Sequence, residues 1–251
     1  MKPVKAADLL ELDPLQQVVV LRQTPRPQQL VYMGGKNDYS ELPIEDTEIP
    51  QEPEAGKWVI EQLLSNGRGH WGPLEHPAIT FSCSGFVHNV PVQARTHRVG
   101  VSFDVQSQRY TCKRVLKVAD RKLEPHEVFY VRPPGFYTNR KGKKYEWTDN
   151  DYMAELGRCG AASERYAYMF REKGISEEHL RDYLPQNIRQ NFVVTFSLRA
   201  LLHFLDLRAK MDAQLEIQAL CEAMLLPTKE WVPQIFQYYE EKRLHKARLA
   251  P

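Results

Sequence analysis

The spacing of apolar residues changes along the chain, and each change predicts an element. Residues 18–21 and 29–33 are short apolar runs flanking a proline-containing stretch at 22–28, a pattern that predicts a β-hairpin. Residues 38–56 are acidic and contain several prolines, which predicts a surface loop. Trp58, Ile60, Leu63 and Leu64 then recur at helical spacing, with Gly67 as the stop. From Ala78 to Val87 the pattern alternates, with Ile79, Phe81, Cys83 and Val87 on one side and Thr80, Ser82 and Ser84 on the other. That alternation predicts a strand with one buried face. Asn89-Val90-Pro91 reads as a helix start, because Asn caps exposed N–H groups and Pro is tolerated in the first turn. Residues 115–147 read as irregular and basic, with a strand candidate at 128–131 and a polar tip at 139–144. Helices are predicted at 149–173 (ended by Gly174), 176–184 (ended by Pro185), 190–210, 212–225 and 233–247. Strands precede helices, so the fold class is α+β rather than alternating βαβ.

Composition narrows the function classes. The 251 residues, 42% of them hydrophobic, suffice for one large domain or two intimate ones. Lys and Arg number 34 against 32 Asp and Glu, a net charge of only +2. A non-specific nucleic-acid binder draws its affinity from a clear cationic excess, so the basic residues here must act by position. Cys83, Cys112, Cys159 and Cys221 lie far apart with no C-x-x-C pair, which argues against zinc ribbons, thioredoxin-like motifs and a secreted disulfide framework. The N-terminal stretch lacks a signal-peptide apolar core and no window is long enough for a membrane span. A soluble cytoplasmic protein is expected.

Two short segments can do chemistry. In Gln93-Ala94-Arg95-Thr96-His97-Arg98, a helix opened at Pro91 would set Gln93 and His97 one turn apart on one face, with Arg95 and Arg98 neighbours on another. An amide, an imidazole and cations suit a ligand with phosphates and a heteroaromatic ring, although a solvated helix with an incidental His fits the hexapeptide equally well. In Gln106-Ser107-Gln108-Arg109-Tyr110, a hydroxyl, backbone N–H groups and a guanidinium form a compact phosphate clamp. His70, Glu75 and His76 do not make a metal site, because i, i+6 spacing puts the two His on different helical faces. Gly34-Gly35-Lys36 lacks the rest of a phosphate loop, and no G-x-G-x-x-G follows a strand, so a Rossmann domain is not expected.

Taken together, these segments resemble the flavin-dependent thymidylate synthases (ThyX). His97-Arg98 followed by Ser107-Gln108-Arg109-Tyr110 is similar to that family's R-H-R-x7-S-x-R signature. His70-Trp71-Gly72-Pro73-Leu74-Glu75-His76 looks like its H-x-[ST]-P-x-E-H segment, and Arg181 sits where the family has another nucleotide-binding Arg. The stretch from Ser197 through Leu198, Arg199 and His203 to Arg208 resembles N-x-R-S-L-x-x-F-L-x-L-R, followed by Ala213-Gln214-Leu215-Glu216-Ile217. The likeness runs in order from about residue 18 to 225. Four departures stand out: Thr96 replaces the signature's first Arg, one extra residue separates Arg98 from Ser107, Gly72 replaces a hydroxyl residue, and Ser197 and His203 replace two asparagines. Arg95 could supply the missing charge if the local helix geometry permits.

The resemblance implies a single ThyX-like domain over residues 1–251, with an antiparallel sheet and long C-terminal helices. It implies conversion of dUMP to dTMP with 5,10-methylenetetrahydrofolate as carbon donor and NADPH as reductant through FAD, in a homotetramer with shared active sites. Gln93, Gln106, Ser107, Gln108, Arg109, Arg181 and Arg208 would hold dUMP, and Arg208 would favour the N3-deprotonated ring. Gly72, Thr96, His97, Arg98, Ser197, Leu198, Arg199 and His203 would lie along the flavin. Arg199 and His203 share a helical face, whereas Arg208, nine positions beyond Arg199, lies about half a circle away. They would therefore contact different parts of a ligand pair or different sites of an oligomer. No cysteine falls in a nucleophile motif, and Ser107 has no His–Asp pair beside it in sequence, so phosphate binding is its expected role. The basic run at 140–144 reads as a solvated loop able to attract the folate's glutamate tail. A rival reading is a non-catalytic nucleotide- or RNA-binding protein using Arg98, Arg109 and Tyr110.

Overall fold

The alternating segment Ala78–Val87 is a strand over its whole predicted length, and its inward residues Ile79, Phe81 and Cys83 are fully buried. It sits inside a four-stranded sheet. The computed structural model describes residues 2–139 and 141–246. In chain order the strands are β1 (Gln17–Gln23), β2 (Ala78–Val87), β3 (Val101–Val105), β4 (Gly135–Thr138), β5 (Lys144–Trp147) and β6 (Arg189–Ser197). The sheet order is β1-β2-β6-β3, and β4 and β5 form a separate antiparallel ribbon.

The main sheet is antiparallel, as the hydrogen bonds at its strand ends show. Thr24 N donates to Ala78 O at 2.9 Å, and the carbonyl of Leu15 lies against Gly85, so β1 and β2 run in opposite directions. Thr80 and Thr195 share a side-chain hydrogen bond of 2.9 Å while His88 N donates to Ile188 O at 2.9 Å, which reverses β6 against β2. Gln106 N to Asn191 O (3.0 Å) and Ser197 N to Gly100 O (2.8 Å) do the same for β3 and β6.

The helices are α1 (Ala6–Leu12), α2 (Pro27–Asn37), α3 (Glu52–Val59), α4 (Asn89–Ala94), α5 (Gln108–Thr111), α6 (Lys113–Ala119), α7 (Pro125–Val128), α8 (Asp149–Arg171), α9 (Glu177–Leu180), α10 (Leu198–Arg208), α11 (Leu215–Trp231) and α12 (Pro233–Lys242). The class is α+β, with long helices toward the C-terminus. Among the described residues, no helix is long and apolar enough to cross a membrane.

Several sequence expectations are corrected. The hairpin at 18–33 is instead a strand followed by a helix: Pro27 occupies the first turn of α2, where its missing N–H costs nothing, and β1 finds its partner far away in β2. The loop at 38–56 holds a short 3₁₀ turn, Ile44–Asp46, and the start of α3, which continues through a π turn at Ile60–Leu64. The candidate strand at 128–131 is the end of α7 followed by one isolated bridge, Phe129 to Ile188. The polar tip at 139–144 is the turn of the β4–β5 ribbon, with its Arg140 outside the described residues.

The predicted helix at 190–210 divides in two. Phe192, Val194 and Phe196 are buried alternately in β6, a two-residue period rich in β-branched side chains, and only after Ser197 does the helical period begin. Ser197 caps α10, its Oγ accepting from Ala200 N at 3.2 Å. A strand thus lies deep in the C-terminal half. The predicted 176–184 helix shortens to α9 plus a 3₁₀ turn at Arg181–Tyr183, while α8 matches its expected span closely. The helix expected at 212–225 runs on through Pro227 as α11, and the last, α12, ends at Lys242; Ala247 lies outside the described residues.

The chain divides into two compact units. The first comprises the described residues up to 17 together with 83–95 and 104–192. Its core joins Val115, Val118, Val128, Phe129, Leu180 and Ile188 to Cys159 and Tyr166 of α8. A buried ion pair between Arg189 and Asp13, 2.7 Å, ties its N-terminal segment to β6. The second comprises 18–82, 96–103 and the described residues from 193 onward. There, buried Asp206 of α10 accepts hydrogen bonds from Tyr239 (3.0 Å) and Arg243 (2.7 Å) of the C-terminal region.

Candidate active site

The proposed nucleotide residues other than Arg208 belong to the first unit, and the proposed flavin residues with Arg208 belong to the second. In the first unit, Gln93 is half-buried in the last turn of α4. Gln106 follows β3, and its side-chain Oε1 accepts from Asn191 N at 3.3 Å, which pins the segment to β6. Ser107 caps α5, with Oγ accepting from Arg109 N at 3.4 Å. Arg109 is half-exposed, stacks beside Tyr110 (5.7 Å) and pairs with Glu178 of α9 at 3.1 Å. Exposed Arg181 follows directly on α9, in the 3₁₀ turn. The Ser107 hydroxyl is engaged by the backbone of Arg109, while the Arg109 guanidinium reaches an acidic side chain instead. Glu178, absent from the sequence reading, is the anion that Arg109 holds.

In the second unit, α4 has already ended at Ala94, so Thr96, His97 and Arg98 lie in a loop. The face expected to join Gln93 to His97 therefore does not form, and Arg95 has no helix to place it beside Arg98. His97 is instead fixed from α10. Arg208 Nε donates to His97 Nε2 at 3.0 Å, and Arg208 Nη2 donates to Thr96 Oγ1 at 2.8 Å. The His97 ring stands edge-on to His203 (5.4 Å) and Phe204 (5.1 Å), buried to 9% exposure. Burial, then the charge of Arg208 and the neighbouring His203, push its pKa down to about 4. His97 is therefore neutral near pH 7, and because Nε2 accepts, its proton sits on Nδ1.

A second cluster lies at the start of α10. Ser197 Oγ donates to Glu75 Oε2 at 2.7 Å, and Arg199 pairs with Glu75 Oε1 at 3.4 Å. Gly100, at φ +68°, lets the loop approach so closely that a Cβ there would sit 2.5 Å from Ser197 Oγ. Leu198 is fully buried, and its N–H is taken by Pro77 O at 2.9 Å. Arg98 is exposed. Arg199 and Arg208, half a circle apart on α10, indeed engage different partners.

Gly72 opens a 3₁₀ turn, Gly72–Glu75, on the rim of a cavity of about 480 Å³. Leu30, Met33, Ile44 and Pro73 give this cavity an apolar wall, while Asp38, His70 and His76 supply its polar groups. His70 is held by Tyr39 (3.4 Å) and Asp38 (3.5 Å). His70, Gly72, Pro73 and His76 lie in the motif at 70–76, whereas Asp38 and the α2 wall had no motif to mark them.

An antiparallel sheet with long C-terminal helices defines an α+β protein, and each of its two units carries its own set of cationic and polar side chains. The family model described as thymidylate synthase complementing protein matches residues 19–234. The flavin-dependent thymidylate synthase of Halobacterium salinarum is 34% identical over 93% of this chain and 99% of its own length, and that of Haloarcula marismortui is 32% identical over the same shares. The chain belongs to the flavin-dependent thymidylate synthase family. Its fold is shared with Helicobacter pylori ThyX, solved with FAD and dUMP (TM-score 0.67, 17% identity, 89% of this chain and 98% of that one). The UMP/dUMP methylase PolB of Streptomyces cacaoi, bound with 5-Br UMP, has the same fold (TM-score 0.67, 21% identity, 94% and 96% covered).

Proposed function

We propose that this chain is a thymidylate synthase that methylates dUMP at C5, with 5,10-methylenetetrahydrofolate giving the carbon and NADPH giving two electrons through FAD. The uracil C5–H is replaced by a methyl group, and tetrahydrofolate, NADP⁺ and dTMP leave. Bound FAD, once reduced, would supply the hydride, and the protein would supply orientation and a dry site.

The residues of the second unit fit such a cofactor. Arg98 is exposed and Arg199 is a second cation at the start of α10, and both match a pyrophosphate. Ser197 and His97 add neutral donors and acceptors. Buried Nδ1 of His203 has no hydrogen-bond partner among the described residues, so a ligand group would satisfy it. Leu198 would contribute shape rather than polar contact, and Gly72 leaves room on the cavity rim. In the first unit, Ser107, Arg109 and Arg181 would take the dUMP phosphate, displacing Glu178 from Arg109, with Gln93, Gln106 and Gln108 contacting the nucleoside.

The observation that carries the mechanism is the grip on Arg208. C5 of uracil is a poor nucleophile, and a cation at the ring edge stabilises the N3-deprotonated form that makes it a better one. Neutral His97 orients Arg208 without adding a competing charge. Cysteine catalysis is disfavoured by the protein itself: all four thiols are buried and unpaired, and burial pushes the pKa of each upward, away from the reactive thiolate. Ser107 Oγ already serves as a cap.

The reading extends to one catalytic domain over the chain, working in the cytoplasm as a homotetramer with shared sites. The basic turn at 139–144 would attract the folate's glutamate tail. Purified protein is expected to be yellow and to bleach when NADPH is added without oxygen. A colourless protein that neither binds added FAD nor oxidises NADPH would overturn the proposal.

A further inference from the structure

We infer that Thr96, the residue at which this chain departs from its family's R-H-R signature, is a positioning residue for Arg208. The inference deepens the proposed function and rests on the activating role given there to Arg208.

The guanidinium of Arg208 is gripped along one edge at two points. Nε donates to His97 Nε2 at 3.0 Å, and Nη2 donates to Thr96 Oγ1 at 2.8 Å. The two acceptors are consecutive residues of one loop, and the donors are the adjacent nitrogens of one planar fork. Two hydrogen bonds along the same edge fix the orientation of the plane more tightly than either alone. His97 is itself immobilised by His203 and Phe204, whose ring centroids lie 5.4 and 5.1 Å away. Thr96 is exposed, so its contribution is aim rather than burial energy.

The chemistry of position 96 makes this specific to the chain. Arginine has five donors and no acceptor, so the signature residue cannot receive the Nη2 hydrogen bond and would add a like charge beside Arg208. Threonine has lone pairs at the required place, and its β-branched side chain holds Oγ1 in few rotamers. Loss of the first signature Arg is thus coupled to the setting of the catalytic Arg. Acting through Arg208, Thr96 bears on turnover rather than on the binding of flavin.

The test compares T96V, which keeps the shape and removes the acceptor, with T96S, which keeps the acceptor. T96V is expected to lower kcat for dTMP formation about tenfold, with KM for dUMP moving less than threefold, while T96S recovers most of the wild-type rate. A second measurement does not depend on the reaction. In ligand-free protein, the ¹⁵Nε order parameter of Arg208 should fall in T96V and return in T96S. If the order parameter of Arg208 is unchanged in T96V, the inference is wrong, whatever the activity. Loss of flavin in T96V with Arg208 still rigid would also overturn it, by making Thr96 a cofactor contact. A wild-type protein that makes no dTMP would instead defeat the proposed function, and the order parameters would still decide the grip.

Discussion

His97 is uncharged across the neutral range because its ring is packed against His203 and Phe204 and sits beside the charge of Arg208. A proton on Nε2 would remove the acceptor for Arg208 and put two cations in contact. With a folded-state pKa of about 4 against the usual 6.5, the unfolded chain binds this proton first as pH falls. Stability from this site is therefore complete above about pH 6.5 and declines progressively toward pH 4, the direction for a depressed histidine. Urea midpoints measured from pH 7.5 to 4 should fall less steeply in H97Q than in wild type. Parallel slopes for the two proteins would show that His97 does not titrate as its packing requires. The Arg109–Glu178 pair belongs to a different regime: both side chains are about half-exposed, so solvent screens the attraction and the pair adds little to stability.

At the scale of elements, the chain places its active groups by close backbone approach at strand ends. Gly85 in β2 adopts φ +75°, and a Cβ built on it would lie 2.0 Å from the Leu15 carbonyl oxygen. Both the left-handed conformation and the clash with backbone exclude a side chain. G85A should thus destabilise the protein by about 3 kcal/mol, read as a lowered denaturant midpoint at unchanged slope. A midpoint within error of wild type would mean that the segment before β1 gives way easily. The loop before β3 relies on the same device, with Gly100 admitting Ser197 and Glu75. The hydroxyl of Ser197 both caps α10 and donates to Glu75, so the helix carrying Arg199, His203 and Arg208 starts at a fixed point. His203 and Arg208 are five positions apart on that helix, yet both meet His97, one through its ring and one through Nε.

Over the whole molecule, the family was more legible in the sequence than the individual elements of the fold that carries it. The motifs around His70, His97, Ser107 and Arg199 identify the family because each joins several chemically demanding residues at fixed spacing. The strand at 78–87 and the helix near 149–173 were legible too, since one buried face imposes a clean period on each. What failed were stretches where two periods meet. Apolar residues recur all along 190–210, and the shift from a two-residue to a helical period falls at Ser197, where the cap is a single hydroxyl. Residues 29–33 were read as a strand because Pro27 looks like a turn as readily as a first helical turn. Contacts such as Arg208 with Thr96, 112 positions apart, leave no trace in local pattern. Sequence placed both residues among those that touch ligand, but only the fold shows one gripping the other.

Arg208 is the cation proposed to activate the pyrimidine, and R208A tests that role most directly. Single-turnover formation of dTMP from dUMP should be followed with methylenetetrahydrofolate and pre-reduced protein, with flavin content measured on the same sample. The expected result is a fall in rate of at least about a hundredfold with FAD retained, the scale seen when one charge-stabilising group is removed from an active site. Wild-type dTMP formation by R208A would contradict the account.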